Sequence, residues 1–301
     1  VHLYVNEEFQ GVYELCEQCQ INPNRVDISE PEEGYTDIDI GYYLELDNYA
    51  TSDEDNHYIS MDYENATVTD INGETRQFVP AEYSIKNDLY SQNQIDFIDK
   101  YLNNLFKIVY EACENGKYYK FDENYDLVDS DVTTAEEAVS NVMDIDSVRD
   151  MYILYEIVHD YDCGEGSFYM CVDLSKDSKC PKLKFTSPWD FNWAYNDSTE
   201  KYYAGAFTDK NFVAKKGDRS NPWFIILCKQ DWFMDAVKEK WTEMSQEKLL
   251  QGCIKTEREY LKEYDADKLK TIDEKDQKYG DELKKINDEI TELNAELKAS
   301  L

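Results

Sequence analysis

Positive charge is scarce in this chain. Lysine and arginine together number 31 against 65 aspartates and glutamates in 301 residues, a formal charge of −34 and a pI near 4.3. That balance excludes nonspecific attraction to nucleic-acid phosphates or anionic lipid, so an anionic ligand must arrive with a cation of its own. Arginine is confined to Arg25, Arg76, Arg149, Arg219 and Arg258, too few for a multi-arginine phosphate clamp. Long apolar runs are also missing. The longest compact one, Trp223-Phe-Ile-Ile-Leu-Cys228, falls far short of the ~20 residues of a membrane span. No initiator Met, basic n-region or apolar h-region precedes the strand-like alternation at Val1, so a fragment or mature segment is expected. No G-x-x-x-x-G-K-[ST], G-x-G-x-x-G or G-x-S-x-G occurs, which removes the conventional nucleotide loops and the hydrolase elbow. No internal repeat is visible.

What is present is core material. Hydrophobic residues make up 42% and aromatics 14% of the chain, more than a disordered acidic chain carries, and the length allows one large domain or two ordinary ones. Residues 2–16 alternate around Leu3, Val5, Phe9, Val12 and Leu15, predicting a hairpin turned at Asn6-Glu-Glu8 with a bulge near Gly11. Arg25–Ile28 and Gly41–Leu46 read as further strands. From Ser91 the period changes to three and four through Ile95, Phe97-Ile98, Tyr101-Leu102, Leu105 and Ile108-Val109, an amphipathic helix behind a serine cap. A second helix is expected from about Ser147 to Val158. Ser167–Val172 and Lys182–Phe185 then predict a strand pair between helices, and helical character returns from Pro222. The whole is an α+β arrangement.

Near the C-terminus, Leu283, Ile286, Ile290, Leu293 and Leu297 form a seam of about two heptads. Either a helix packing on its own domain or a short coiled coil satisfies it. The stretch 256–301 holds 14 acids and 9 bases, so −29 of the charge resides in the preceding 255 residues.

The densest concentration of chemistry lies between Glu156 and Asn192. An acidic loop, His159-Asp160-Tyr-Asp162, precedes the strand pair, and Ser187-Pro-Trp-Asp-Phe-Asn-Trp193 follows it. Two loops joined by a hairpin can meet in space, and carboxylates with a nearby amide oxygen are the hard ligands Mg²⁺ takes when it also carries phosphates. A solvated acidic loop is the plainer alternative in so acidic a chain. His159 is either a ligand or base, or a cap on the preceding helix. Cys16-x-x-Cys19 suggests zinc or redox chemistry, but a structural zinc site needs a second close pair, which Cys163, Cys171 and Cys180 are too widely spaced to supply, so ordinary thiols remain open.

Leu3-Tyr-Val-Asn6, Phe9-Gln-Gly-Val-Tyr13, Glu17-Gln18, Arg25-Val26, Gly41-Tyr-Tyr-Leu-Glu45, Ser167-Phe-Tyr-Met170 and Pro188-Trp-Asp-Phe-Asn-Trp-Ala194 resemble the ordered blocks of the CotH family, the spore-coat atypical protein kinases. The last block is the most specific. It is similar to the family's W-D-F-D-W-A-F-G, with Asn192 at the second acid and Asn196 where glycine is usual. The resemblance implies a remote protein-kinase-like fold: residues 1–28 a remnant of the small lobe and hinge, 29–255 a mostly helical large lobe, and 256–301 a helical extension.

By the same resemblance Asp190 binds metal together with Asn192. Asp162 matches the acid of an N-x-D block, with Asp160 where Asn is usual, and the two acids serve the acceptor hydroxyl or the metal. Cys16, Glu17 and Gln18 form the hinge against which adenine stacks. Lys86 is a basic group without an assigned role on that layout, because it lies beyond the hinge. The implied activity is ATP- and Mg²⁺-dependent transfer of phosphate to Ser, Thr or Tyr hydroxyls of a protein, with no nucleic-acid partner and an extracellular or cell-surface setting. An inactive surface or adhesion module and a calcium-stabilised binding domain are the rival expectations, since fold alone does not fix function.

Overall fold

The computed structural model describes residues 2–12, 18–52, 57–63, 66–69, 75–158, 160–176, 178–194, 221–246, 249–261, 277–278 and 284–285. The chain divides into two compact units, Val1–Lys238 and Glu239–Leu301. The elements run β1 His2–Val5, β2 Glu8–Val12, β3 Gly41–Leu46, β4 Tyr58–Met61, β5 Thr67–Thr69, β6 Thr75–Gln77, β7 Ala81–Ile85 and α1 Gln92–Asn115. They continue β8 Tyr119–Phe121, β9 Leu127–Asp129, α2 Ala135–Val142, α3 Ile145–Val158, β10 Phe168–Asp173, β11 Lys184–Thr186, α4 Phe224–Leu227, α5 Asp231–Gln246 and α6 Leu249–Leu261. The fold is α+β. No helix among the described residues is long and apolar enough to cross a membrane.

The centre is a five-stranded sheet of order β11-β10-β3-β7-β4, with every neighbouring pair antiparallel. The expected strand pair at 168–185 is therefore not a separate hairpin between helices. β10 pairs along its whole length with β3, from Phe168↔Leu46 to Asp173↔Gly41, and sits inside the sheet. The reason is visible in its composition: Phe-Tyr-Met-Cys-Val is apolar or aromatic on both faces, all of β10 is buried, and such a strand needs cover on both sides.

The two faces have different covers. Alternation puts Tyr42, Leu44 and Leu46 with Phe168, Met170 and Val172 on one face. There Tyr42 meets Phe97 of α1, and Phe168 meets Tyr155 of α3 and Phe224 of α4. Tyr43, Tyr169 and Cys171 point the other way and pack with Val26, Ile28, Cys19, Ile21 and Trp189. That second cover is irregular chain, where a strand was expected at Arg25–Ile28. Only a single parallel bridge, Ile21↔Val26, forms. The Ile28 amide bonds back to Val26 O at 3.0 Å, and the Ser29 amide goes to the Asp173 carboxylate at 3.0 Å, so neither is offered to a ladder. The cover lies so close that a Cβ on Gly41 would meet Ser29 O at 2.6 Å and Ile28 Cβ at 2.9 Å. Only glycine fits there.

α1 forms as its sequence predicts. Ser91 caps it in a box with Gln94, and Gly116 closes it at φ 62, a left-handed conformation that suits glycine. Its apolar stripe buries Phe97, Ile98, Tyr101, Leu102, Leu105, Phe106, Ile108 and Val109. α3 likewise covers the predicted 147–158. Trp223 fills the middle of this layer, its indole N–H donating to Tyr83 Oη at 3.0 Å and its ring edge-on to Phe106.

The N-terminal hairpin β1–β2 turns on Asn6 and Glu7, both at positive φ (51° and 70°), the primed turn that matches strand twist. Its bulge falls where Leu3 opposes Gly11 and Tyr4 opposes Phe9. Leu3, Tyr4, Val5 and Phe9 are exposed. Most of the heptad seam at 283–297 lies outside the described residues.

Candidate functional site

Asp160 and Asp162 sit on a loop between α3 and β10. Asp160 caps the 3₁₀ turn Tyr161–Gly164, its Oδ1 accepting the Asp162 amide at 2.9 Å. The Asp162 carbonyl in turn accepts the Glu165 and Gly166 amides. Two buried asparagines hold this loop from opposite ends of the sequence. Asn48 donates its side-chain amide to Gly164 O at 2.9 Å and its backbone amide to Glu165 O, while its Oδ1 accepts the Glu82 amide of β7. Asn221 donates to Cys163 O at 2.9 Å, and its Oδ1 accepts the Trp223 amide at 3.0 Å. Satisfied buried amides of this kind are costly to break, so the turn is fixed to the sheet and to the start of α4.

Neither asparagine was singled out by the sequence reading. For Asn221 a signal exists, since Asn-Pro before the run Trp223–Cys228 is a helix-start signature. Asn48 has none, because its partner lies 116 positions away.

The second segment leaves β11 at Thr186. Ser187 and Asp190 both take positive φ, and Asp190 is fully left-handed at φ 58°, ψ 56°. A left-handed non-glycine residue carries strain of a kind that clusters at functional sites. Asp190 is exposed, and a 3₁₀ turn over Phe191–Trp193 follows it. The segment is therefore not an extended strand, in which residues 189, 191 and 193 would share one face. Phe191 is half-buried, its ring against Tyr155 at 5.3 Å, and Asn192 is exposed.

The two segments meet electrostatically. Asp160, only 1% exposed, has its carboxyl pushed above the ordinary range, first by burial and further by the negative charge of Asp190, against the lowering effect of the Asp162 amide. Two carboxylates from loops on either side of the β10–β11 hairpin thus share one neighbourhood. Among the described residues no group of three or more His, Cys, Asp and Glu is gathered tightly enough to hold a metal ion alone. A pair of acids is nonetheless the usual protein share of an Mg²⁺ site, where phosphates and water complete the shell. The donor chemistry therefore fits Mg²⁺ bound with a phosphate ligand. His159, Cys16 and Glu17 lie outside the described residues.

Next to Asp190 is room for a ligand. A cavity of about 500 Å³ is lined by Gln18, Cys19, Tyr43, Lys86, Tyr169 and Trp189, among others. An adjoining one of about 300 Å³ shares Gln18 and Trp189 and adds Arg25 and Ser187. Tyr43 and Tyr169 stack at 5.4 Å beneath the first. Lys86, paired with Glu45 at 2.9 Å, is the cation in its described wall. Gln18 of the hinge-like segment and Trp189, the neighbour of Asp190, thus line the same space. The sequence reading named both blocks but missed the tyrosine platform.

A search of protein-family models matches the CotH kinase protein family over residues 1–299. No curated protein and no solved structure matches the chain at a significant level. With that match covering essentially the whole sequence, the chain belongs to the CotH kinase protein family.

Proposed function

We propose that this chain is an ATP- and Mg²⁺-dependent phosphotransferase acting on protein hydroxyl groups, on a remote kinase-like fold. The observation that supports the reading is what meets at Trp189-Asp190: Trp189 lines the aromatic cavity with Gln18, and the charge of Asp190 acts on the buried carboxylate of Asp160. A purine has an aromatic platform in Tyr43, Tyr169 and Trp189, with Gln18 offering amide donors and acceptors at its rim. Asp190 and Asp160, with Asn192, hold the metal. Mg²⁺ bound there would neutralise the phosphates and fix their orientation.

The remaining work belongs to the chain's own groups. Asp162, half-buried and held by the asparagine-braced turn, orients the acceptor hydroxyl and takes its proton. Lys86 supplies positive charge at the cavity wall, where an incoming phosphate meets an otherwise acidic protein. Left-handed Asp190 presents its carboxylate to solvent instead of capping the turn that follows it.

Asn192, an amide at the position where the family pattern has a second acid, favours one alternative, a module that keeps the fold without the chemistry. The test is transfer of labelled γ-phosphate from ATP to the chain itself or to a generic protein, with Mg²⁺, with Ca²⁺ and with neither. Asp190→Asn is the blank. Transfer that needs Mg²⁺ and Asp190 supports the proposal. No transfer, together with no stabilisation by Mg²⁺·ATP, favours the inactive module.

A further inference from the structure

Cys171 and Cys180 face each other across the start of the β10–β11 connection. Their sulfurs stand 3.8 Å apart, one on buried β10 and the other in the connection from β10 to β11. The connection is drawn back over the strand by the Asp173 amide, which donates to Cys180 O at 2.8 Å, and is shaped within itself by the Cys180 amide donating to Ser178 Oγ at 2.9 Å. A disulfide needs a sulfur separation near 2.05 Å, so about 1.8 Å must be closed, within reach of a side-chain rotation in the connecting segment. Cys171 is 3% exposed, whereas Cys180 is half-exposed and lines a cavity of about 410 Å³ with Ser140, Asp144, Lys179 and Lys182. One sulfur of the pair is therefore reachable from solvent while the other waits behind it.

We propose that Cys171 and Cys180 form a reversible disulfide, made by exchange with a low-molecular-weight disulfide that enters at Cys180. The Cys180 thiolate attacks one sulfur of the reagent, and a mixed disulfide forms as one thiolate leaves. Cys171 then gives up its proton and attacks Sγ of Cys180, and the second thiolate leaves. Two cysteine thiols are oxidised to one disulfide, and one reagent disulfide is reduced to two thiols. The electrostatics agree with that order of attack. Cys180 is held below the ordinary thiol range, chiefly by its contact with the Cys171 sulfur and then by nearby Lys184, against the opposing effects of burial, Asp144 and Asp173. Cys171 is pushed up by the same contact and by burial. The bond would staple the loop end of the β10–β11 hairpin, the end away from Ser187–Trp193, so the inference does not depend on the nucleotide reading.

The test uses the full chain in native buffer, equilibrated with glutathione mixtures of increasing oxidised share, acid-quenched, alkylated and mapped by mass spectrometry. The expected result is a Cys171–Cys180 cross-link that grows with the oxidised share and reverses with dithiothreitol, and a melting temperature raised by about 5 °C in the cross-linked form. C180S should abolish the link, and C171S should leave a persistent glutathione adduct on Cys180. The cross-link in the parent chain decides the matter even if C171S does not fold. Both thiols remaining alkylatable across the series, a link to Cys19 or another cysteine instead, or a link formed only in denaturant would each overturn the proposal.

Discussion

Replacing Asp190 by Asn separates what its backbone does from what its charge does. Asn accepts the left-handed conformation at φ 58° as readily as Asp, and Asp190 makes no side-chain capping bond that the amide would lose. The ligand-free fold should therefore be unharmed. It should even gain slightly, because a like charge facing buried Asp160 disappears. With Asp190 exposed, that relief is at most about 1 kcal/mol, or roughly 2–4 °C for a unit of this size. The pH profile carries a second signature. The Asp160 carboxyl has a folded-state pKa above its usual 3.8, so the native chain still holds a proton that the unfolded chain has released. Stability from this group is fully present below 3.8 and is lost as pH rises through the raised folded value, with a slope of at most about 1.4 kcal/mol per pH unit. In Asp190→Asn that loss should shrink without vanishing, because burial is the larger cause and remains.

Ligand response is the third readout. A nucleotide present at a hundred times its dissociation constant stabilises by about 2.7 kcal/mol, an upward shift of roughly 5–10 °C here. Mg²⁺·ATP should give that shift in the parent chain and lose it in Asp190→Asn. Differential scanning fluorimetry at several pH values measures all three effects in one plate. An undiminished Mg²⁺·ATP shift in the variant would refute the metal assignment. A collapse of its ligand-free melting temperature would refute the claim that the charge is dispensable for folding.

Three other substitutions probe the frame around the site. Asn221→Ala should cost about 1–3 kcal/mol in chemical denaturation, since Cys163 O loses its donor and the Trp223 amide its acceptor; a neutral result would mean that the brace on the acidic loop is not real. Gly41→Ala forces a Cβ to within 2.6 Å of Ser29 O, so a loss of about 1–3 kcal/mol is expected, with increased protease cleavage within residues 18–28 as the sign that the cover has been displaced. Trp189→Ala removes a wall common to both cavities and should weaken nucleotide binding about tenfold or more by equilibrium titration, while changing ligand-free stability by less than Phe185→Ala does in the buried core. Unchanged affinity would remove the cavity from the proposed function.

The elements with strong local grammar were legible. α1 carries a serine cap and a three-and-four stripe, and both appear as read, while the box with Gln94 and the closing Gly116 are seen only in the structure. β3 and β10 announced themselves as aromatic and aliphatic runs, and the acids at 160, 162 and 190 stood out as two loops joined by a hairpin. What was not legible depended on partners remote in sequence. The pairing of β10 with β3 spans over 120 positions and put the expected isolated hairpin at the centre of the sheet. The chain at 25–28 has strand-like composition, yet its amides are taken by a tight turn and by Asp173, 144 positions from Ser29. The turn at 191–193 defeats alternation because Asp190 reverses the chain in a conformation that periodicity does not encode.

The local rules that this segment breaks bear on what the two acids are for. Every structural duty that Asp160 performs, accepting the Asp162 amide at the head of a 3₁₀ turn, an asparagine could perform without carrying a buried charge. Every structural duty of Asp190, occupying a left-handed position ahead of a second turn, glycine or asparagine could perform with less strain. What the carboxylates add over those amides is negative charge, with that of Asp190 opposing the ionisation of buried Asp160. Under the proposed function, that opposition would be relieved by a cation brought in with its phosphate ligand. The asparagine brace from Asn48 and Asn221 keeps the loop from relaxing its charge away into solvent. A chain with −34 overall has many cheaper places to put acids. Two of them that feel each other's charge, one buried and one left-handed beside the Trp189 wall of an aromatic cavity, are the part of this structure that packing alone does not explain.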